Sequence, residues 1–250
     1  MPHEFELREE ITVDATPEQV WEAIATGPGI DAWFMGRNEV EPREGGTVRM
    51  TLGGHAEEAT VTAWEPPRRF AHRGEGEDGS FMAFEYLIEG RQGGGTVVRL
   101  VQSGVLGDDW EQEYDSLRKG WRMYLRTLAQ YLAHFPGRTA TPVSAQGPEQ
   151  ADQDRVWEGL MRGLGLTGTV TEGDQARFTL EGTEHQGVVD AVHRPGSADE
   201  PTFLGVRTKD GLYRFVGRGG AVAVGHHIFA DVDRQEAERA WQAWLTRLFS

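Results

Sequence analysis

The chain has 250 residues, room for one large domain or two small ones. Apolar residues make up 38% and charged residues 26%, and eight Trp and eleven Phe supply large core pieces, so the profile is globular rather than disordered. A formal net charge of −15 without any basic run beyond Arg68-Arg69 or Arg118-Lys119 argues against nucleic acid, and the lack of cysteine excludes disulfides, thiolate catalysis and cysteine-ligated metal.

The N-terminus, Met1-Pro2-His3-Glu4-Phe5-Glu6, offers neither the basic nor the apolar region of a signal peptide. No stretch reaches the roughly 18 apolar residues of a spanning helix. The expectation is a cytoplasmic protein without membrane insertion.

Phe5–Val13 alternates as a strand with Phe5, Leu7, Ile11 and Val13 available to a core. Thr16-Pro17-Glu18-Gln19 then reads as a helix start, because Thr16 can cap, Pro17 suits the first helical position and Gln19 completes a capping box. Val20, Trp21 and Ile24 follow at helical spacing. Gly27-Pro28-Gly29 is expected to stop that helix, with Ile30–Phe34 forming a short second turn. From residue 43 the period becomes two: Val48, Met50 and Leu52; Ala59–Trp64; Phe70–Arg73; Phe81–Glu89; and Thr96–Ser103. Glu65-Pro66-Pro67-Arg68-Arg69 is a rigid connector, and Gly53-Gly54 and Gly93-Gly94-Gly95 mark turns.

Residues 108–134 form the clearest helix, with Asp108 and Asp109 placed to favour its start. Its stripe comprises Tyr114, Leu117, Trp121, Tyr124, Leu125, Leu128, Tyr131 and Leu132. Phe135-Pro136-Gly137 ends it. Residues 139–154 are small, polar and rich in Pro and Gly, which reads as a linker. Beyond it the sequence echoes itself. Val20-Trp21-Glu22-Ala23-Ile24 returns as Val156-Trp157-Glu158-Gly159-Leu160, and Tyr86–Arg91 returns as Tyr213–Arg218. Both halves close with a Trp-bearing amphipathic helix, the second spanning Arg234–Phe249 with Ala237, Trp241, Trp244, Leu245 and Leu248. The first strand of the second copy is not evident, and the helix stripe Trp241, Trp244 and Leu248 must be buried against something.

Five stretches in order carry a family resemblance: Ile11–Trp21, Trp33-Phe34, Glu44-Gly45-Gly46-Thr47-Val48, Trp64-Glu65-Pro66-Pro67-Arg68-Arg69-Phe70, and the helix with Trp121 and Leu128. Residues 4–135 resemble the START-like (SRPBCC) superfamily, within it the bacterial-type branch of homologues of the activator of the heat-shock protein 90 ATPase. The resemblance implies an α+β helix-grip fold, an antiparallel sheet wrapped around a long C-terminal helix. It also implies a cavity that in various members holds apolar molecules. Chaperone activation is not carried over, because homologues with that activity have an additional N-terminal domain and this chain starts at the first strand. The expected organisation is a START-like domain over 1–136, a linker over 137–153, and a smaller α+β module over 154–250, read as a degenerate repeat.

The residues expected to line the cavity are Trp33, Phe34, Met50, Trp64, Phe84, Tyr86, Leu100, Trp121 and Tyr124. Each one alone fits ordinary core packing, but their aromatic share and the Tyr86 and Tyr124 hydroxyls match an apolar ligand site. The expected partner is a small apolar or amphipathic molecule, with no cofactor. A homodimer or a protein partner docking on the second module, with the first cavity vestigial, is a different reading. An enzyme of cyclase, dehydratase or hydrolase type would use Tyr86, Tyr124 or His72 as acid or base. No nucleophile elbow, P-loop or zinc-protease motif is present. His226 and His227 are neighbours on a strand and point to opposite faces, so no metal site is expected. His226 should face inward and His227 solvent.

Overall fold

Alternating hydrophobicity becomes antiparallel pairing along the whole chain. The computed structural model describes residues 3–76, 79–150, 152–194 and 201–250, and the chain divides into two units, Met1–Thr139 and Ala140–Ser250.

The first unit contains β1 (His3–Val13), α1 (Pro17–Ala25), α2 (Gly27–Ile30), β2 (Arg37–Val40), β3 (Thr47–Leu52), β4 (His55–Glu65), β5 (Arg69–Glu75), β6 (Phe81–Gly90), β7 (Thr96–Leu106) and α3 (Trp110–His134). Its seven strands run β1-β7-β6-β5-β4-β3-β2. The first strand thus pairs with the last, and the strands between form a meander. The capping box forms as expected: Gln19 N donates to Thr16 Oγ1 at 3.3 Å, and Thr16 N donates to Gln19 Oε1 at 2.9 Å. Helix α1 ends at Ala25, directly before Gly27-Pro28-Gly29 as expected, but helical structure restarts on those three residues rather than after them. They open α2, where Thr26 Oγ1 accepts from Gly29 N at 3.1 Å. Proline near a helix start costs nothing, since its missing N–H would be unpaired there anyway. Gly29 also lets α2 approach α1, because a side chain there would collide with the Glu22 carbonyl.

Helix α3 buries residues only from Trp121 onward: Trp121, Leu125, Thr127, Leu128, Tyr131 and Leu132. Its first turns are looser. Trp110 stacks on His3 with ring centroids 3.9 Å apart, and Tyr114 meets the edge of Phe5 at 6.2 Å. Asp109 sits at the cap position but makes no side-chain cap bond; its carbonyl accepts from Gln112 N and Glu113 N instead.

The second unit contains β8 (Thr141–Gln146), α4 (Gln153–Gly163), β9 (Gln175–Leu180), β10 (Thr183–His193), β11 (Thr202–Arg207), β12 (Gly211–Arg218), β13 (Ala221–Ile228) and α5 (Arg234–Leu248). Its six strands run β8-β13-β12-β11-β10-β9. First strand beside last, a helix after the first strand, a meander, then a closing helix: this is the topology of the first unit with one strand fewer. The two sequence echoes fall on equivalent elements, α1 with α4 and β6 with β12.

The linker expectation is corrected here. Residues 141–146 form β8, the strand missing from the second copy, paired with β13. An edge strand is hydrogen-bonded on one side only, so Pro142 is tolerated opposite His227, while Val143 and Ala145 point inward and are buried. The stripe of α5 is consumed within its own unit. Trp241 is fully buried, with ring centroids 5.4 Å from Phe178, 5.6 Å from Tyr213 and 5.9 Å from Phe215.

Candidate functional site

Strand register builds the inner face of the first sheet in rows. One row joins Trp64 on β4, Phe70 on β5, Tyr86 on β6 and Leu100 on β7. The next joins Val61, His72, Phe84 and Gln102. Residues two apart on a strand share a face, so both rows look toward α3. The outward neighbour Glu85 instead bonds Arg69 at 2.7 Å on the exposed face.

Trp121 and Tyr124 approach from α3, and Phe34 from the segment after α2. Phe34 stacks on Trp121 with ring centroids 5.3 Å apart and planes within 10°, and lies 4.6 Å from Tyr124. Trp121 meets Phe84 at 5.9 Å and Tyr86 at 6.4 Å. Its indole N–H donates to Gln102 Oε1 at 2.5 Å. Phe34, Phe84, Tyr86, Trp121 and Tyr124 therefore form one group.

The other four expected residues take different places. Trp33 is 1% exposed and its Nε1 donates to the Ala23 carbonyl at 2.9 Å, which ties the loop to α1. Leu100 is fully buried in the floor beside Tyr86. Trp64 packs on Trp21 at 4.9 Å and Phe70 at 5.6 Å. Met50 lies on β3 opposite Asn38 and Glu57 and is half-buried. The structure adds Phe70, His72 and Gln102 to the group. The signal for them was present: Phe70 and His72 are two apart, and Gln102 is a polar residue at an inward position of an otherwise apolar strand.

His72 lies between the rings of Phe70 at 5.4 Å and Phe84 at 5.0 Å. Its Nδ1 is buried and has no hydrogen-bond partner among the described residues. Burial pushes the imidazole down to about 4, the Tyr124 phenol up to about 12 and the Tyr86 phenol up as well. In each case the low-polarity surroundings penalise the charged form. At neutral pH the grip thus presents two phenols and an imidazole, all uncharged.

Phe34, His72, Phe84 and Tyr124 point inward yet are only half-buried. The corresponding group of the second unit is closed: Tyr213, Phe215, His226 and Trp241 are exposed by 4%, 0%, 1% and 0%. There His226 Nδ1 accepts from the Arg214 backbone N–H at 3.0 Å, so its side chain enters the strand ladder. His226 faces inward as expected, but His227, expected in solvent, is also buried, at 3% exposure. A separate groove of about 410 Å³ lies on the first sheet and includes Glu58, Thr60, Thr62, Arg73 and Glu75. Thr60 and Arg73 are a register pair one residue from the His72 row, so this polar groove belongs to the opposite face. Among the described residues no three His, Asp or Glu converge as metal ligands, and no helix is long and apolar enough to cross a membrane.

The family model described as Activator of Hsp90 ATPase homolog 1-like protein matches residues 14–133. Over these residues the chain is similar to that family. The match starts just before α1, runs through the sheet and ends within α3, so it takes in Phe34, His72, Phe84, Tyr86, Trp121 and Tyr124. Solved structures to which the chain is similar include a protein from Mesorhizobium loti, 21% identical, with 52% of this chain and 98% of that chain covered and a TM-score of 0.47. Another is the Aha1 dimer from Colwellia psychrerythraea, 20% identical, with 51% and 96% covered and a TM-score of 0.42. DynU16 of the dynemicin biosynthetic locus is 18% identical, with 97% and 95% covered and a TM-score of 0.46. No curated protein matches the chain.

Proposed function

We propose that the first unit binds a small apolar or amphipathic molecule between its sheet and α3. The observation that carries this reading is a contrast within the site. Phe34, Phe84 and Tyr124 retain accessible surface around a buried imidazole nitrogen that has no partner among the described residues. Aromatic walls with a few polar groups are what apolar ligand sites offer.

Binding is favoured over turnover by the protonation states. An imidazole held at about 4 is a weak base at neutral pH, and phenols pushed upward are weak acids. Docking of a protein partner is less well supported, since among the described residues Leu52 is the only large apolar side chain classed as exposed.

Native mass spectrometry of the chain purified from its own host, followed by denaturing extraction, tests the reading. A recurrent co-purifying apolar molecule, lost when Phe84 is changed to Asp, is the expected result. An empty protein that also takes up no fluorescent apolar probe would overturn it.

A further inference from the structure

We infer that the ligand of the first unit is an amphipathic organic cation, its apolar part held in the grip and its positive group paired with Glu57. The inference rests on the reading that this grip binds an apolar or amphipathic molecule, and names the charge that molecule carries.

The first sheet sorts its charges by face. Its strands carry Arg8, Arg37, Arg49, Arg69, Arg73 and Arg99, and each of these stands beside an inward residue in the sequence, so each points to the outer face. There each pairs with a glutamate of that same face. Among the described strand residues, no Arg or Lys faces α3. The inner face carries carboxylates instead. Glu9 extends the row of Tyr86 and Leu100, and Arg122 of α3 pairs with it at 3.0 Å. Glu57 precedes Ala59 and Val61 on β4 at a spacing of two, so it shares their face, and it lies opposite Met50 in the register. It is exposed and enters no ion pair among the described residues. Met50 links this position to the grip: a Cβ on Gly36, two residues beyond Phe34, would meet Met50 Cγ at 3.1 Å. Helix α3 turns its own cations elsewhere. At about 100° per residue, Arg118, Lys119, Arg122 and Arg126 stand about 80° or more from the centre of the stripe formed by Trp121, Tyr124 and Leu128. Arg118 and Lys119 are held by Asp115. An anionic ligand would therefore meet like charge on the inner face, and the net charge of −15 adds to the repulsion. A cation meets Glu57 at an exposed position, where its charged group keeps its water while its apolar part covers Phe34, Phe84 and Tyr124.

Titration calorimetry of the full chain at neutral pH and low salt with octylammonium, 1-octanol and octanoate, one alkyl chain with three charges, tests this. Octylammonium should bind about fivefold more tightly than octanol, the worth of one exposed ion pair, and octanoate more weakly than octanol. In Glu57→Gln, whose exposed position spares the fold, octylammonium and octanol should bind alike. Equal binding of all three by the natural chain, or a preference for octanoate, would overturn the inference while leaving the apolar site standing. A cation preference that survives Glu57→Gln would trace to the overall charge and overturn the assignment to Glu57. Failure of all three to bind would overturn the ligand-binding reading and this inference with it.

Discussion

The indole of Trp121 and the amide of Gln102 are locked to one another across the grip, N–H to oxygen at 2.5 Å, with both side chains almost fully buried. The bond fixes how far α3 stands from β7, and hence the width of the space beside it. Gln102→Leu should lower stability by about 1–3 kcal/mol, because it leaves the indole N–H buried and unpaired. In the double variant Gln102→Leu/Trp121→Phe the loss should be smaller than the sum of the two single losses, since the orphaned donor is gone. Urea unfolding of the four proteins in this cycle measures both.

Acid should weaken the protein through His72. Its folded pKa, about 4, lies below the ordinary 6.5, so the unfolded chain binds the proton more readily. The contribution is complete above the unfolded value, declines as pH falls below about 6.5 and is exhausted once pH passes about 4. It amounts to at most about 3 kcal/mol. His226, pushed down by burial and by the nearby His227 and Arg214, acts in the same direction. Melting temperatures of the natural chain should fall relative to those of His72→Phe, which has no titrating group there, as pH drops from about 6.5 to about 4. Parallel curves would contradict the prediction.

Gly120 interrupts α3 one residue before its buried stretch begins, and a side chain placed there would meet open space. Glycine inside a helix costs roughly 0.5–1 kcal/mol relative to alanine. Gly120→Ala should therefore raise stability by about that amount in chemical denaturation. Reduced ligand uptake accompanying the gain would show that the loosely held first turns of α3 must move to admit the ligand.

In the second unit Arg214 reaches Asp190 with two parallel bonds, Nη1 to Oδ1 and Nη2 to Oδ2, both 2.9 Å, and the two side chains are 5% and 3% exposed. The pair lies over Gly205, where a side chain would collide with both. Removing one partner leaves an uncompensated buried charge, so Arg214→Met should cost about 3–5 kcal/mol, while Asp190→Leu with Arg214→Met should recover much of it. Thermal unfolding of the single and double variants distinguishes the two cases.

Much of this was legible in the sequence because local rules and tertiary structure agree. The capping box at Thr16 and Gln19, the inward set on β6 and β7, and the stripe on α5 all follow from spacing that packing then uses. Phe34, Phe84, Tyr86, Trp121 and Tyr124 were identifiable as inward aromatics, and the packing of α3 and of the segment after α2 on the sheet brings them together. Trp33 and Trp64 were not separable from them, since composition cannot tell a ring that ties a loop from one that joins the group facing α3. His72 was visible only as a residue on a strand; its unpaired nitrogen depends on what β4, β6 and α3 leave around it. Gly27-Pro28-Gly29 was legible as the stop of α1 but not as the start of α2, because its residue types serve for both.

Strand β8 has a consequence for how the chain can be dissected. It covers the outer edge of β13, whose N–H and C=O groups from Ala223 to Ile228 face residues 141–146. A fragment cut at the apparent end of the linker, beginning at residue 154, would keep the helices and the aromatic core but leave that ladder bare. Bare ladders recruit strands from other chains. Such a fragment would be sticky for a reason foreign to the native protein, and pull-down partners or oligomers found with it would report the cut rather than the biology.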